Sequence, residues 1–229
     1  MTDRAALAAL TAEILACRRC PRLVEWRERV ARERRRQFRD ETYWGRPVPG
    51  FGDPDARILI VGLAPAAHGG NRTGRVFTGD GSGDFLFARL HEVGLANQPT
   101  SRRVDDGMAL AGAYVAAAVR CAPPDNKPLP TERDECAPYL ARELALLERV
   151  GVILALGAFA WGSSFRAIAS VTGHDARPRP RFGHGVDARA GGYRVVGSYH
   201  PSQQNTNTGR LTPAMLRDVL VRARTLAAA

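Results

Sequence analysis

The chain has 229 residues, 45% of them hydrophobic, and a formal net charge of +10 with a pI near 10.4. That length holds one large domain with a full core, and no apolar run reaches the ~18 residues a membrane span needs. The excess of 33 Lys and Arg over 23 Asp and Glu predicts a polyanionic partner, nucleic acid above all; Lys127 is the single lysine, so a bias toward Arg explains the kind of base but not its excess over acid.

The start of the chain carries no apolar signal segment, which predicts a cytoplasmic, reducing compartment. Residues 3–16 read as a helix, with Leu7, Leu10, Ile14 and Leu15 on one stripe. A Cys17-x-x-Cys20-Pro turn follows, and Pro21 opens a second, very basic helix to about Arg39. Its run Arg32 to Arg36 fits a solvated face first and a phosphate-contacting face second. Segment 44–54 is a Pro/Gly-rich loop. Arg57–Gly62 is a short continuous apolar run, as expected of a strand buried on both faces, and Ala113–Val119, Val152–Leu156 and Tyr193–Gly197 resemble it. Helical patterns lie between: one capped by Ser82 to about Val93, one capped by Thr131 through Leu147, one over 158–170, and a last one opened by Thr212-Pro213. Strands alternating with helices predict a three-layer α/β/α sandwich around a parallel sheet.

The unusual residues follow the carboxyl ends of these strands, where ligands bind in such folds. The loop after the first strand, Gly62 to Asp80, is Gly-rich and basic but matches no phosphate-cradling motif. Within it Phe77 fits either a core plug or a stacking platform for a base, and Asp80 either a helix cap or a carboxylate facing the site. His200, directly after the last strand and before Pro201, is placed to project into the crevice; Tyr199 reads as packing. Cys17, Cys20, Cys121 and Cys136 are the chain's four cysteines. Two disulfides would suit a small secreted domain, so metal coordination is the better reading. Four thiolates fit tetrahedral zinc or a [4Fe–4S] cluster, and spacing does not separate these.

Together GLAPAAHGGNRTGRVFTGD, RCAPPDNKP, HPSQQNTNTGRLT and the cysteine set resemble the family 5 (type b) uracil-DNA glycosylases, similar to the iron–sulfur family 4 enzymes, over about residues 10 to 225. The stretch 25–50 is less familiar and reads as an insertion in a single domain spanning 1–229. The resemblance implies a four-stranded parallel sheet, a [4Fe–4S] cluster on the four cysteines, a monomer, and a monofunctional glycosylase that flips deaminated bases from DNA and hydrolyses the N-glycosidic bond. It implies that Phe77 stacks on the base, His200 bonds its O2, Asp80 and Asn126 position water or base, Gly62, Ala64 and Ala66 line the base pocket, and Asn71, Arg72, Ser202, Asn205 and Arg210 line the DNA. Ala64 stands where most of the superfamily has a water-activating Asp or Asn. Ala66 stands where uracil-specific enzymes carry a bulky residue, and Ala117 stands near the place of a base-reading Asn, leaving Asn126 to take over. The rival reading is a non-catalytic Fe–S or zinc module that binds DNA lesions.

Overall fold

A computed structural model describes residues 2–228. The predicted layers are present, with eight α-helices and a six-stranded sheet among these residues. The strands are β1 (Phe51–Gly52), β2 (Ile58–Gly62), β3 (Ala113–Ala117), β4 (Val152–Leu156), β5 (Asp187–Ala190) and β6 (Tyr193–Ser198), in the order β1-β3-β2-β4-β6-β5. The expectation of four strands is corrected to six. The four central strands are parallel, and β1 and β5 add antiparallel edges. In β2, Ile58 and Ile60 face one core while Leu59 and Val61 face the other, which is why the run lacks alternation.

Helices α4 (Gly81–Glu92) and α8 (Pro213–Ala228) cover one face; α5 (Pro130–Leu146) and α6 (Ala158–Thr172) cover the other. Helix α1 (Arg4–Ala16) packs on α5 and places Leu10 and Ile14 in a third cluster. Helix α2 (Pro21–Glu33) ends six residues short of the expected Arg39. Arg34 turns into the left-handed region (φ 54°), because a helix carrying Arg32, Arg34, Arg35 and Arg36 would stack like charges along its last turns. Helix α4 starts on Asp80 rather than Ser82, and α5 on Leu129 rather than Thr131. At the latter, Pro130 takes the first helical position and Glu132 reaches back to accept from the Leu129 N–H (2.7 Å). The short helices α3 (Gly70–Thr73) and α7 (Gln203–Asn207) lie in the first and last motif loops.

Pairing in register sets Gly62 beside Ala117 and Leu156 beside Ser198 at the carboxyl edge. The loops that follow β2, β4 and β6 therefore leave the sheet from one rim.

Candidate active site

The first loop folds back onto the strand that launched it. Phe77, at φ 52°, lays its ring on Gly62, where an added Cβ would come within 2.6 Å of the ring. Only glycine admits that approach, so Gly62 shapes the floor beneath Phe77. The turn around Phe77 is held from below by Arg75. Its buried guanidinium donates to Thr78 Oγ1 (3.0 Å), Ser101 Oγ (2.7 Å) and Asp106 (2.6 Å). Arg75 and three backbone amides hold the Asp106 carboxyl down at about 2, against burial that opposes them.

Asp80 is a helix cap: its Oδ1 accepts from the Gly83 N–H (2.9 Å) at the start of α4. Its other oxygen presses on Gly69, where a Cβ would meet Oδ2 at 1.9 Å, so the carboxylate also touches the first motif. Burial raises its pKa, while the amides of Gly83 and Ser82 pull the other way.

His200 faces Phe77, with ring centroids 5.7 Å apart and planes tilted by 34°. Burial pushes its pKa down to about 4, so the ring is neutral at physiological pH and carries one N–H. Neither ring nitrogen has a hydrogen-bond partner among the described residues. Its backbone is fixed instead: Asn205 Nδ2 donates to the His200 carbonyl (2.9 Å). His200 lines a cleft of about 280 Å³ with Leu63, Leu156, Gly157, Phe159 and Tyr199, a volume near the lower end for small-molecule sites. Gly157, at φ +97°, brings the β4–α6 turn under the His200 Cβ.

The other expected residues divide. Asn205 and Arg210 line the cleft, and the Arg210 guanidinium stacks over the Tyr199 ring at 4.7 Å. Tyr199, read as packing, also lines it; His184, unnoticed in the sequence, accepts from its N–H (3.2 Å). Ser202 stands half-buried at the N-cap position of the short α7, with no capping bond from its side chain. Ala66 is half-buried, and its carbonyl accepts from the Gly69 and Asn71 amides. Ala64 packs against the cysteine cluster. Asn126 sits exposed on a left-handed turn (φ 55°) and is not among the cleft-lining residues.

Asn71 and Arg72 do not face outward, which corrects the expectation that they line DNA. Asn71 is fully buried, and its Nδ2 donates to the Arg27 carbonyl (3.2 Å). Arg72 donates to the carbonyls of His68 and Gly79 (2.8 Å each), pairs with Glu41 and stacks on Phe38. Three of these partners, Arg27, Phe38 and Glu41, lie in segment 25–50, which clamps the first motif; Trp44 and Gly45 add N–H bonds to the Arg72 and Asn71 carbonyls. On the outside, next to Gly79, the exposed Arg102 side chain has no ion pair among the described residues, and its loop is tied in by a Gly79 N–H bond to the Ser101 carbonyl (2.9 Å).

The four cysteines, none paired in a disulfide, share one packed cluster with Leu10, Ile14, Leu23, Val119 and Tyr139. Among the described residues no group of three His, Cys, Asp or Glu side chains could hold one metal ion. Burial raises the thiols of Cys121 and Cys20 to about 12 and about 11, so loading a metal group there must displace protons. Two N–H groups already point at sulfur: Arg27 Nη1 at Cys121 Sγ (2.9 Å) and the Arg120 amide at Cys136 Sγ (3.4 Å).

Residues 49–224 match the family model described as the uracil DNA glycosylase superfamily. The chain is 54% identical to the Type-5 uracil-DNA glycosylase of Mycobacterium tuberculosis over 95% of its length and 81% of the relative's. It is 53% identical to that of Thermus thermophilus over 96% and 97%. It is 32% identical to the Type-4 uracil-DNA glycosylase of Archaeoglobus fulgidus over 68% and 70%.

Proposed function

The chain belongs to the uracil-DNA glycosylase superfamily, and we propose that it is a DNA repair hydrolase that removes uracil by cleaving the N-glycosidic bond. His200 carries the reading. It is a neutral imidazole at the rim of the parallel sheet, fixed through its backbone by Asn205, turned toward Phe77 and without a partner of its own. A departing uracil needs a hydrogen-bond donor where negative charge develops on the base, and a preorganised donor there is worth roughly 2.7–4 kcal/mol. Ala64 brings no polar side chain, so leaving-group stabilisation supplies more of the rate. Phe77 offers its ring to a flipped base, and Arg210 and Ser202 meet the backbone beside the cleft. Incubating the protein with a uracil-containing duplex and cleaving abasic sites with hot alkali tests the activity. Binding without strand breaks would favour a lesion-binding module.

Substrate range belongs to the same proposal. Ala66 leaves room beside the pyrimidine 5-position, and a pocket discriminates a methyl-sized group by only ~1–3 kcal/mol. Hypoxanthine and 5-substituted uracils are therefore substrates as well.

Cys17, Cys20, Cys121 and Cys136 hold a [4Fe–4S] cluster in this reading. Support comes from their shared packing and from the N–H groups aimed at two sulfurs. The cluster would join the N-terminal helices to the loop after β3 and to α5.

A further inference from the structure

Arg27 is 2% exposed, yet the other arginines of its helix are all partly or fully exposed. A buried guanidinium demands a counter-charge. Among the described residues the carboxylate paired with it is Glu28, 3.9 Å away and engaged by Arg18. Its closest acceptors belong to the cysteines: Cys121 Sγ at 2.9 Å and the Cys17 carbonyl at 3.3 Å. Its Nε is buried with no partner. Sulfurs ligating a bound cluster would bring negative charge to within hydrogen-bond distance of this cation.

We propose that Arg27 is the counter-cation of the cysteine-bound cluster and the link through which that cluster holds the base-binding loop. The second half rests on the Arg27 carbonyl, which accepts from Asn71 Nδ2 at 3.2 Å. Asn71 lies in α3, inside the first motif, and the neighbouring Gly69 carries the Asp80 carboxylate against it. A continuous path thus runs from Cys121 through Arg27 and Asn71 to the loop that bears Phe77. Arg27 is a positioning residue here, acting on the site through other groups, and the proposal rests on the cluster reading above.

The test uses the full-length protein as purified without oxygen, as wild type, Arg27→Met, Arg27→Lys and Asn71→Ala. Iron content is measured first. Then the loss of visible absorbance is followed in air with an iron chelator, and amide hydrogen exchange is followed over residues 66–74. Arg27→Met is expected to load iron but release it about tenfold faster, the loss of one charge-assisted hydrogen bond, with Arg27→Lys between it and wild type. Asn71→Ala is expected to release iron at the wild-type rate while residues 66–74 exchange faster. Arg27→Met that holds iron as firmly as wild type would refute the counter-cation role, and unchanged exchange in Asn71→Ala would refute the link. If Arg27→Met does not accumulate, wild-type release from both Arg27→Lys and Arg27→Gln refutes the counter-cation role instead. Wild-type protein with zinc or no metal overturns the cluster reading, and this proposal with it, while leaving the excision assay untouched.

Discussion

Replacing His200 by Ala removes the one imidazole among the described residues that both lines the cleft and faces Phe77. If its N–H supports the departing base, single-turnover excision of uracil should fall ~100- to 1000-fold, the 2.7–4 kcal/mol of one preorganised donor. DNA binding should persist, because Arg210, Ser202 and the basic surface remain. His200→Asn keeps a donor on a shorter side chain and should recover part of the loss. The pH profile adds a second check. With the ring's pKa pushed down to about 4 by burial, the rate should show no inflection at the ordinary histidine value near 6.5. The stability sign follows from the same shift. Between pH 6.5 and about 4 the unfolded chain binds a proton that the folded ring refuses, so His200 withdraws stability as pH falls through that window; His200→Ala should lose this dependence. A variant within threefold of wild type on uracil would refute the donor assignment and move the burden to backbone amides near Ala66.

For Asp80, Asp80→Ser separates its two contacts: Ser can cap α4 and should hold the melting temperature, whereas Asp80→Ala should cost about 1 kcal/mol of stability. If Asp80→Ser melts like wild type yet excises at least tenfold slower in single turnover, the carboxylate acts in the site as well as capping. Ala66→Tyr should narrow excision toward uracil across a panel of hypoxanthine and 5-substituted uracils, and a wild type that processes uracil alone would defeat the pocket argument. Arg102→Ala should reduce the slope of log affinity against log salt by ~1 for any duplex, measured by anisotropy, without changing single-turnover chemistry. Glu143→Gln strips the buried Arg120 of its ion-pair partner and should cost about 3–5 kcal/mol in denaturant unfolding.

What the sequence discloses and what it hides follow from where each residue's partners lie. The four parallel strands are legible because burial on both faces writes them as unbroken apolar runs. The edges are not. β1 is a two-residue Phe-Gly, and β5 is Asp-Ala-Arg-Ala, whose Asp187 is spent on Arg194 and Arg222. Yet Gly191-Gly192, at φ 51° and 87°, is a two-residue hairpin signal that could have disclosed β5. His200 was readable from its place after a strand. Asp80 was ambiguous, and the structure gives it both neighbours: the Gly83 amide, local in sequence, and Gly69, which no local rule supplies.

Asn71 and Arg72 looked like surface groups because the groups that bury them, Arg27, Phe38 and Glu41, come 31 to 44 residues earlier. Those partners lie in the stretch that read as an insertion. That stretch is part of the site's frame: it clamps the first motif on one side and reaches the cysteines on the other. A signal for this was present. On α2 the buried positions are Leu23, Val24, Arg27 and Val30, an apolar stripe at helical spacing with one cation set in it. A charge on the apolar stripe of an otherwise solvated basic helix calls for a buried counter-charge, and the groups nearest this one are the Cys121 sulfur and the Cys17 carbonyl.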